Sequence, residues 1–113
     1  MRRGEVWLIN LDPTIGAEIR KTRPAVIVNE DSIGILPLKI VVPVTEWKAR
    51  YSVAPWMVQV EPDAENGLEK TSAADAFQVR SLAEQRFVRR LGKISRSVMQ
   101  EISQALAVVL GID

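Results

Sequence analysis

Two stretches of this chain, PAVIVN at 24–29 and LKIVVPV at 38–44, are apolar at both alternating positions and too short for a buried helix. A strand of that kind needs apolar cover on both faces, which a small chain supplies by wrapping its sheet around itself. A third run, EVWLIN at 5–10, stops at LDPTIG, where Asp12, Pro13 and Gly16 are turn formers, and EDSIG breaks the chain after the 24–29 run. In SVAPWMVQVE, 52–61, Trp56, Val58 and Val60 alternate with Met57, Gln59 and Glu61, predicting a half-buried strand with Pro55 near its start. TSAADAFQVRSL predicts one further strand over 71–82. Ser81 and Glu84 form a capping-box pattern that predicts one short helical turn in LAEQRF before VRRLGKI returns as a strand. Pro37, Pro43 and Pro55 lie in or beside these runs, as at edges, bulges or the bends of a barrel.

The end of the chain has a different period. Val98, Met99, Ile102, Ala105, Leu106, Val109 and Leu110 recur at helical spacing, Ser95 or Ser97 can cap the start, and Gly111 can end it. Short strands followed by one amphipathic helix give an α+β, mainly β fold: a small barrel of about five to seven strands with a C-terminal helix. Its 113 residues suit a single domain, 1–113. The apolar stretches are too short for a signal peptide or a membrane span, so the expected location is the cytoplasm, with no membrane partner.

The chain has no cysteine and no histidine. That excludes disulfides, thiolate metal sites, and Ser-His or Cys-His nucleophiles, and leaves any chemistry to Arg, Lys, Asp, Glu, Ser, Thr or Tyr51. No metal or other cofactor is expected. Net charge is only +1, so a nucleic-acid partner must be met by local basic patches.

Three polar groups are candidates for such a patch. Arg20, Lys21 and Arg23, with Asp12 and Glu18, occupy the loop between the first two strands. Charged loops are commonly only solvated, yet Arg23 stands at a strand end against the rigid Pro24, where a guanidinium is preorganised to grip a phosphate bidentately. Thr45, with Glu46 and Trp47, ends the third strand. It is either a β-branched strand residue or a hydroxyl donor to a phosphoryl oxygen, with Trp47 as a base-stacking platform. The third group is Lys70, Thr71, Ser72, Gln78 and Arg80 in KTSAADAFQVR, which reads equally as the solvent face of a strand. Arg86, Arg89, Arg90 and Lys93, with Arg96, read as a nucleic-acid surface or equally as a solvated face, the second being the commoner role of such a cluster, and Trp7 and Trp56 read as core by parity.

Taken in order, RGEVWLINLDPTIGAEIRKTRPAVIV, VVPVTEW, TSAADAFQVRSL and the closing helix resemble the MazF/PemK toxins of toxin–antitoxin modules along nearly the whole chain. The pieces that carry the likeness are the R-G-E-V-W opening, LDPTIGAE, T-R-P-A-V, V-P-V-T and Q-x-R-S. The resemblance implies an SH3-like barrel and a sequence-specific, metal-independent endoribonuclease toxin that cuts single-stranded RNA, works as a homodimer and is neutralised by a cognate antitoxin with an acidic, partly disordered segment. It places the catalytic arginine on Arg23 and the catalytic threonine on Thr45. Glu18, Arg20, Lys21, Trp47, Ser72, Gln78 and Arg80 are the accompanying RNA-binding candidates. Some members carry an acidic residue before Q-x-R and a histidine after the loop glycine; here those positions are Phe77 and Ala17, so a mechanism with that acid as base does not carry over. Two other readings compete: a gyrase-poisoning toxin of the CcdB type, and a non-catalytic RNA-binding barrel.

Overall fold

The computed structural model describes residues 1–33 and 35–112; Gly34, part of the expected breaker EDSIG, lies outside them. Seven antiparallel strands precede one helix: β1 (Glu5–Asn10), β2 (Thr22–Ile27), β3 (Leu38–Glu46), β4 (Met57–Val60), β5 (Ser72–Asp75), β6 (Arg80–Ala83), β7 (Phe87–Lys93) and α1 (Arg96–Leu110). The sheet runs β4-β5-β3-β2-β1-β7, with β6 also on β3. It is therefore strongly bent but open, since β4 and β7 do not pair with each other among the described residues.

The doubly apolar runs are explained by two cores on opposite faces of the same strands. Val6, Val26 and Val42 lie in register across β1, β2 and β3 and join one cluster with Val44, Val58, Val60, Ile94, Ile102 and Ala105. The alternate residues, Ile9, Ala25, Ile27 and Val41, with Leu11 and Leu82, fill the second. Because successive side chains of a strand point to opposite faces, β2 and β3 must be apolar at every position. The helix covers the first cluster through Ile102 and Ala105. Ser95 Oγ accepts from the Val98 N–H at its start, and Gly111, at φ +68°, ends it by donating to the Ala107 and Val108 carbonyls.

The nine residues of β3 serve two sub-sheets. Leu38 to Val41 pair with β6 and Val44 to Glu46 with β5, so residues 42 and 43 have, among the described residues, a strand neighbour only on the β2 side. Pro43, which has no N–H to donate, stands in that gap, consistent with a bend at a proline. The open side is sealed by the loop after β4. Asp63 Oδ1 accepts from the Glu65 and Asn66 N–H groups at 2.8 Å, the buried Asn66 amide donates to the Glu61 carbonyl at 2.8 Å, and the Glu65 carbonyl accepts from the Lys93 N–H of β7 at 2.9 Å. Gly67 and Gly92 permit this contact, because a Cβ on either would overlap the backbone of the other segment.

Four expectations are corrected. The half-buried strand over 52–61 shrinks to Met57–Val60, since Ala49–Val53 forms a 3-10 turn closed by the Tyr51 and Ala54 N–H groups. The single strand over 71–82 is two, β5 and β6, separated by a 3-10 turn at Ala76–Gln78 that the Asp75 carboxylate caps through the Phe77 N–H. The short turn near Glu84 exists, at Glu84–Arg86, but Ala83 precedes it without a side-chain cap, and Ser81 lies within β6. Trp7 and Trp56 are half-buried rather than central, each meeting a phenylalanine edge-on: Phe87 at 5.8 Å and Phe77 at 6.0 Å.

Candidate active site

The hydrogen-bond alternation of β2 and β3 opens a groove at Pro24. Val28 N–H donates to the Ile40 carbonyl at 2.9 Å, so alternate residues of β2 face β3 with their N–H groups, and Pro24 would be the donor opposite Val44. It has none. The ladder ends at Ala25 opposite Pro43, and beyond it the two strands part around a groove of about 610 Å³ whose lining includes Arg23, Pro24, Val44 and Thr45. Continuing the register two steps sets Arg23 across from Thr45, on the sheet face of Ala25 and Pro43, so both reach the groove from the strand ends.

Neither side chain is committed elsewhere. Arg23 is exposed, and its guanidinium makes one hydrogen bond among the described residues, Nε to the Arg20 carbonyl at 3.4 Å. That contact orients the side chain and leaves its terminal nitrogens for an anion. Thr45 is half-buried, and its hydroxyl has no protein partner among the described residues. Three further cations, Lys48, Lys70 and Arg89, line the groove, against the carboxylates Glu46 and Glu69. The wall is apolar, formed by Leu8, Pro24, Val44, Leu68 and Leu91. An apolar wall with a cationic rim suits a ligand that joins flat rings to phosphates.

The family model for PemK-like, MazF-like toxins of type II toxin–antitoxin systems matches residues 2–110. This chain belongs to that toxin family. The MazF/PemK-like chain is 35% identical to the endoribonuclease MazF9 of Mycobacterium tuberculosis, over 99% of its own length and 98% of the relative's. It is 32% identical to the endoribonuclease PemK of Escherichia coli, over 97% and 82% of the two chains. Its fold superposes with a TM-score of 0.79 on a mycobacterial endoribonuclease solved in complex with its cognate antitoxin, at 21% identity, covering 100% of this chain and 97% of that one. These comparisons lend no support to the gyrase-poisoning reading or to a non-catalytic barrel.

The other candidate residues of the MazF/PemK-like chain separate into two groups. Ser72 lines the groove with Arg23 and Thr45; it is buried, and its Oγ donates to the Lys70 carbonyl at 2.8 Å. Glu18, Arg20, Lys21, Trp47, Gln78 and Arg80 do not line it. Gln78 fastens the loop between β1 and β2: its Oε1 accepts from the Ile19 N–H at 2.5 Å and its Nε2 donates to the Ala17 carbonyl at 3.1 Å. Arg80 donates to the Leu11 carbonyl at 3.3 Å, and Arg86 to the Asn10 and Asp12 carbonyls. Glu18 accepts from the Ile15 N–H at 2.6 Å within the same loop. Arg20 and Lys21 are exposed there, and the Lys21 carbonyl takes the Leu11 N–H at 2.9 Å. The loop that delivers Arg23 is thus tied down through its backbone, although its charges face water. Trp47 packs edge-on against Tyr51 at 5.8 Å.

Sequence reasoning missed Lys48 and Arg89 as groove residues. Residue type alone does not separate a nucleic-acid surface from a solvated face in this basic cluster, and the structure divides it: Arg89 is placed beside the groove opposite Leu8, Arg86 holds the first loop, and Arg90 approaches Glu5 at 3.7 Å. The available signal was register. Leu8 pairs with both Pro24 and Arg89, so an arginine on β7 shares a row with the proline that opens the groove. Burial pushes the Asp75 carboxyl above its ordinary value, against hydrogen bonds from the Phe77 and Gln78 backbone and the Gln78 side chain.

Proposed function

We propose that this MazF/PemK-like toxin is an endoribonuclease that cuts single-stranded RNA at short sequences, with Arg23 and Thr45 as the catalytic pair. The observation that carries the reading is their convergence, opposite one another, where β2 and β3 part around a cationic groove. RNA supplies the nucleophile. Attack of a 2′-oxygen on the neighbouring phosphorus, its proton passing to solvent, breaks the bond to the 5′-oxygen, which takes up a proton, and leaves a 2′,3′-cyclic phosphate and a 5′-hydroxyl. Charge gathers on the non-bridging oxygens as this happens, and donors already aimed at them lower the barrier. The Arg23 guanidinium provides two donors and a full charge, and the Thr45 hydroxyl a third donor. An arginine keeps its proton near neutrality, so Arg23 acts on the phosphate and the departing 5′-oxygen and not as the base. No step requires a metal. Lys48 and Arg89 hold flanking phosphates, and Arg20 and Lys21 extend that track along the first loop.

The toxin acts in the cytoplasm as a homodimer. Its cognate antitoxin covers the groove with an acidic, partly disordered segment, because a surface built for phosphates also attracts carboxylates. A mycobacterial endoribonuclease of the same fold is solved in complex with its cognate antitoxin, which supports an antitoxin as a partner of this chain.

The test is incubation of the pure protein with single-stranded RNA in EDTA. Cleavage with cyclic-phosphate ends is expected from the wild type. Arg23→Ala and Thr45→Ala, folded by circular dichroism, are expected to fall by about 100-fold or more, as for loss of one transition-state donor. Intact RNA with the wild type, or undiminished cleavage by either variant, refutes the assignment.

A further inference from the structure

The groove contains an ion pair that the catalytic step does not use. Lys70 Nζ lies 3.4 Å from Glu46 Oε2, with the two side chains 66% and 60% exposed. A pair so open to water adds little to stability and exchanges partners readily. Its position is more telling than its strength. Glu46 follows Thr45 in β3 and stands in register with Ser72, so it shares the sheet face of Val44, part of the apolar wall. A flat ring laid on Leu8, Pro24, Val44 and Leu68 would therefore present its edge to a carboxylate and an ammonium, one residue along from the phosphate site.

We infer that Glu46, oriented by Lys70, reads the base next to the scissile phosphate and selects adenine, cytosine or guanine over uracil. The inference rests on the nuclease reading above. In single-stranded RNA the Watson–Crick edges are free to be read. A carboxylate accepts hydrogen bonds and donates none. Adenine, cytosine and guanine each offer it an amino group, beside a ring nitrogen or carbonyl that the Lys70 ammonium can meet. Uracil offers one ring N–H flanked by two carbonyl oxygens, which turn negative charge towards Glu46. Choosing among the three amino-bearing bases needs further contacts; the bias against uracil comes from its offering Glu46 a single N–H with a carbonyl on each side, only one of which Lys70 can meet.

The experiment cuts a randomised single-stranded RNA pool with wild type, Glu46→Gln and Glu46→Ala and sequences the ends. Wild type is expected to leave uracil depleted at one position beside the cut. Both variants are expected to reduce that discrimination by about tenfold, the scale of one specific base contact. Binding of each protein to oligonucleotides carrying 2′-deoxyribose at the cut, with each base at that position, reads the same ratio if a variant cleaves poorly. Glu46 is exposed, and a thermal melt confirms folding. An unchanged base preference in a folded variant overturns the inference and leaves the nuclease reading standing. A wild type that cuts nothing in the pool overturns both.

Discussion

Lys21 holds a backbone φ of +71°, a left-handed conformation that costs a residue with a side chain about 1 kcal/mol. It is kept there because its carbonyl takes the Leu11 N–H and the chain must turn sharply to deliver Arg23 to the groove. Lys21→Gly removes the strain but adds freedom to the unfolded chain, so the net gain is expected at about 0.5 kcal/mol, seen as a small rise in melting temperature. The same change removes one cation from the loop and should weaken RNA binding. Asp75 answers a different question at this scale, about pH. Its folded carboxyl titrates above the ordinary 3.8, so ionisation opposes folding, and its contribution to stability declines as pH rises from that value through the folded one. Asp75→Asn retains an acceptor for the Phe77 N–H and sheds the desolvated charge. Denaturant midpoints of the two proteins across about pH 3.5–7 should diverge with rising pH in favour of the variant. A variant that loses ground as pH rises would contradict burial as the dominant cause. The places of Arg23 at the start of β2 and Thr45 near the end of β3 were legible in the sequence, because each belongs to a short local pattern next to a strand. Lys48 and Arg89 were not, because their membership of the groove depends on which residue of a distant strand lies opposite, and β1 and β7 change register twice.

At the level of elements, short runs apolar on both parities found β2 and β3, strand-forming runs next to turn signals found β1 and β7, and helical spacing found α1 with its cap and its terminating glycine. Periodicity failed between residues 71 and 82 because Ser72–Asp75 is buried at every position, so its end carries no polar–apolar signal. The cue was chemical: an aspartate able to cap its own following turn, which stops β5 and starts β6 on another part of β3. The loop after β4 was equally opaque, since its partner is β7, far along the chain. Gly92 tests whether that contact holds the groove wall. It lies within a strand, and by backbone preference alone Gly92→Ala should stabilise by about 0.5–1 kcal/mol. The added Cβ would instead meet the Glu65 carbonyl, and backbone cannot move aside as a flexible side chain can. We expect the clash to win, with a net loss of about 2 kcal/mol in denaturant titration and a drop in cleavage as Gly67 and Leu68 shift in the groove. A more stable variant would mean that the loop does not depend on this approach.

Across the whole molecule, a mainly β fold with a closing helix followed from strands that were apolar on both sides, and the structure adds that the bent sheet is open along one side among the described residues. The sheet stops at β4 and β7, and a loop rather than a ladder spans the gap. Charge shows the same division between total and arrangement. A net charge of +1 gives no long-range pull on RNA, whereas the groove gathers Arg23, Lys48, Lys70 and Arg89 around two carboxylates. Binding should therefore be governed by a few local phosphate contacts and show a moderate salt dependence. With about three or four phosphates neutralised, log affinity against log salt should fall with a slope of about −2 to −3 for a single strand. Arg89→Ala should flatten that slope by about 0.7 and weaken all sequences alike, because a phosphate contact carries no base preference. Fluorescence anisotropy with a cleavage-resistant oligonucleotide across a salt series gives both quantities. A slope near zero in the wild type would place the RNA elsewhere on the surface. A loss confined to one sequence in Arg89→Ala would make that residue a base reader instead of a phosphate clamp.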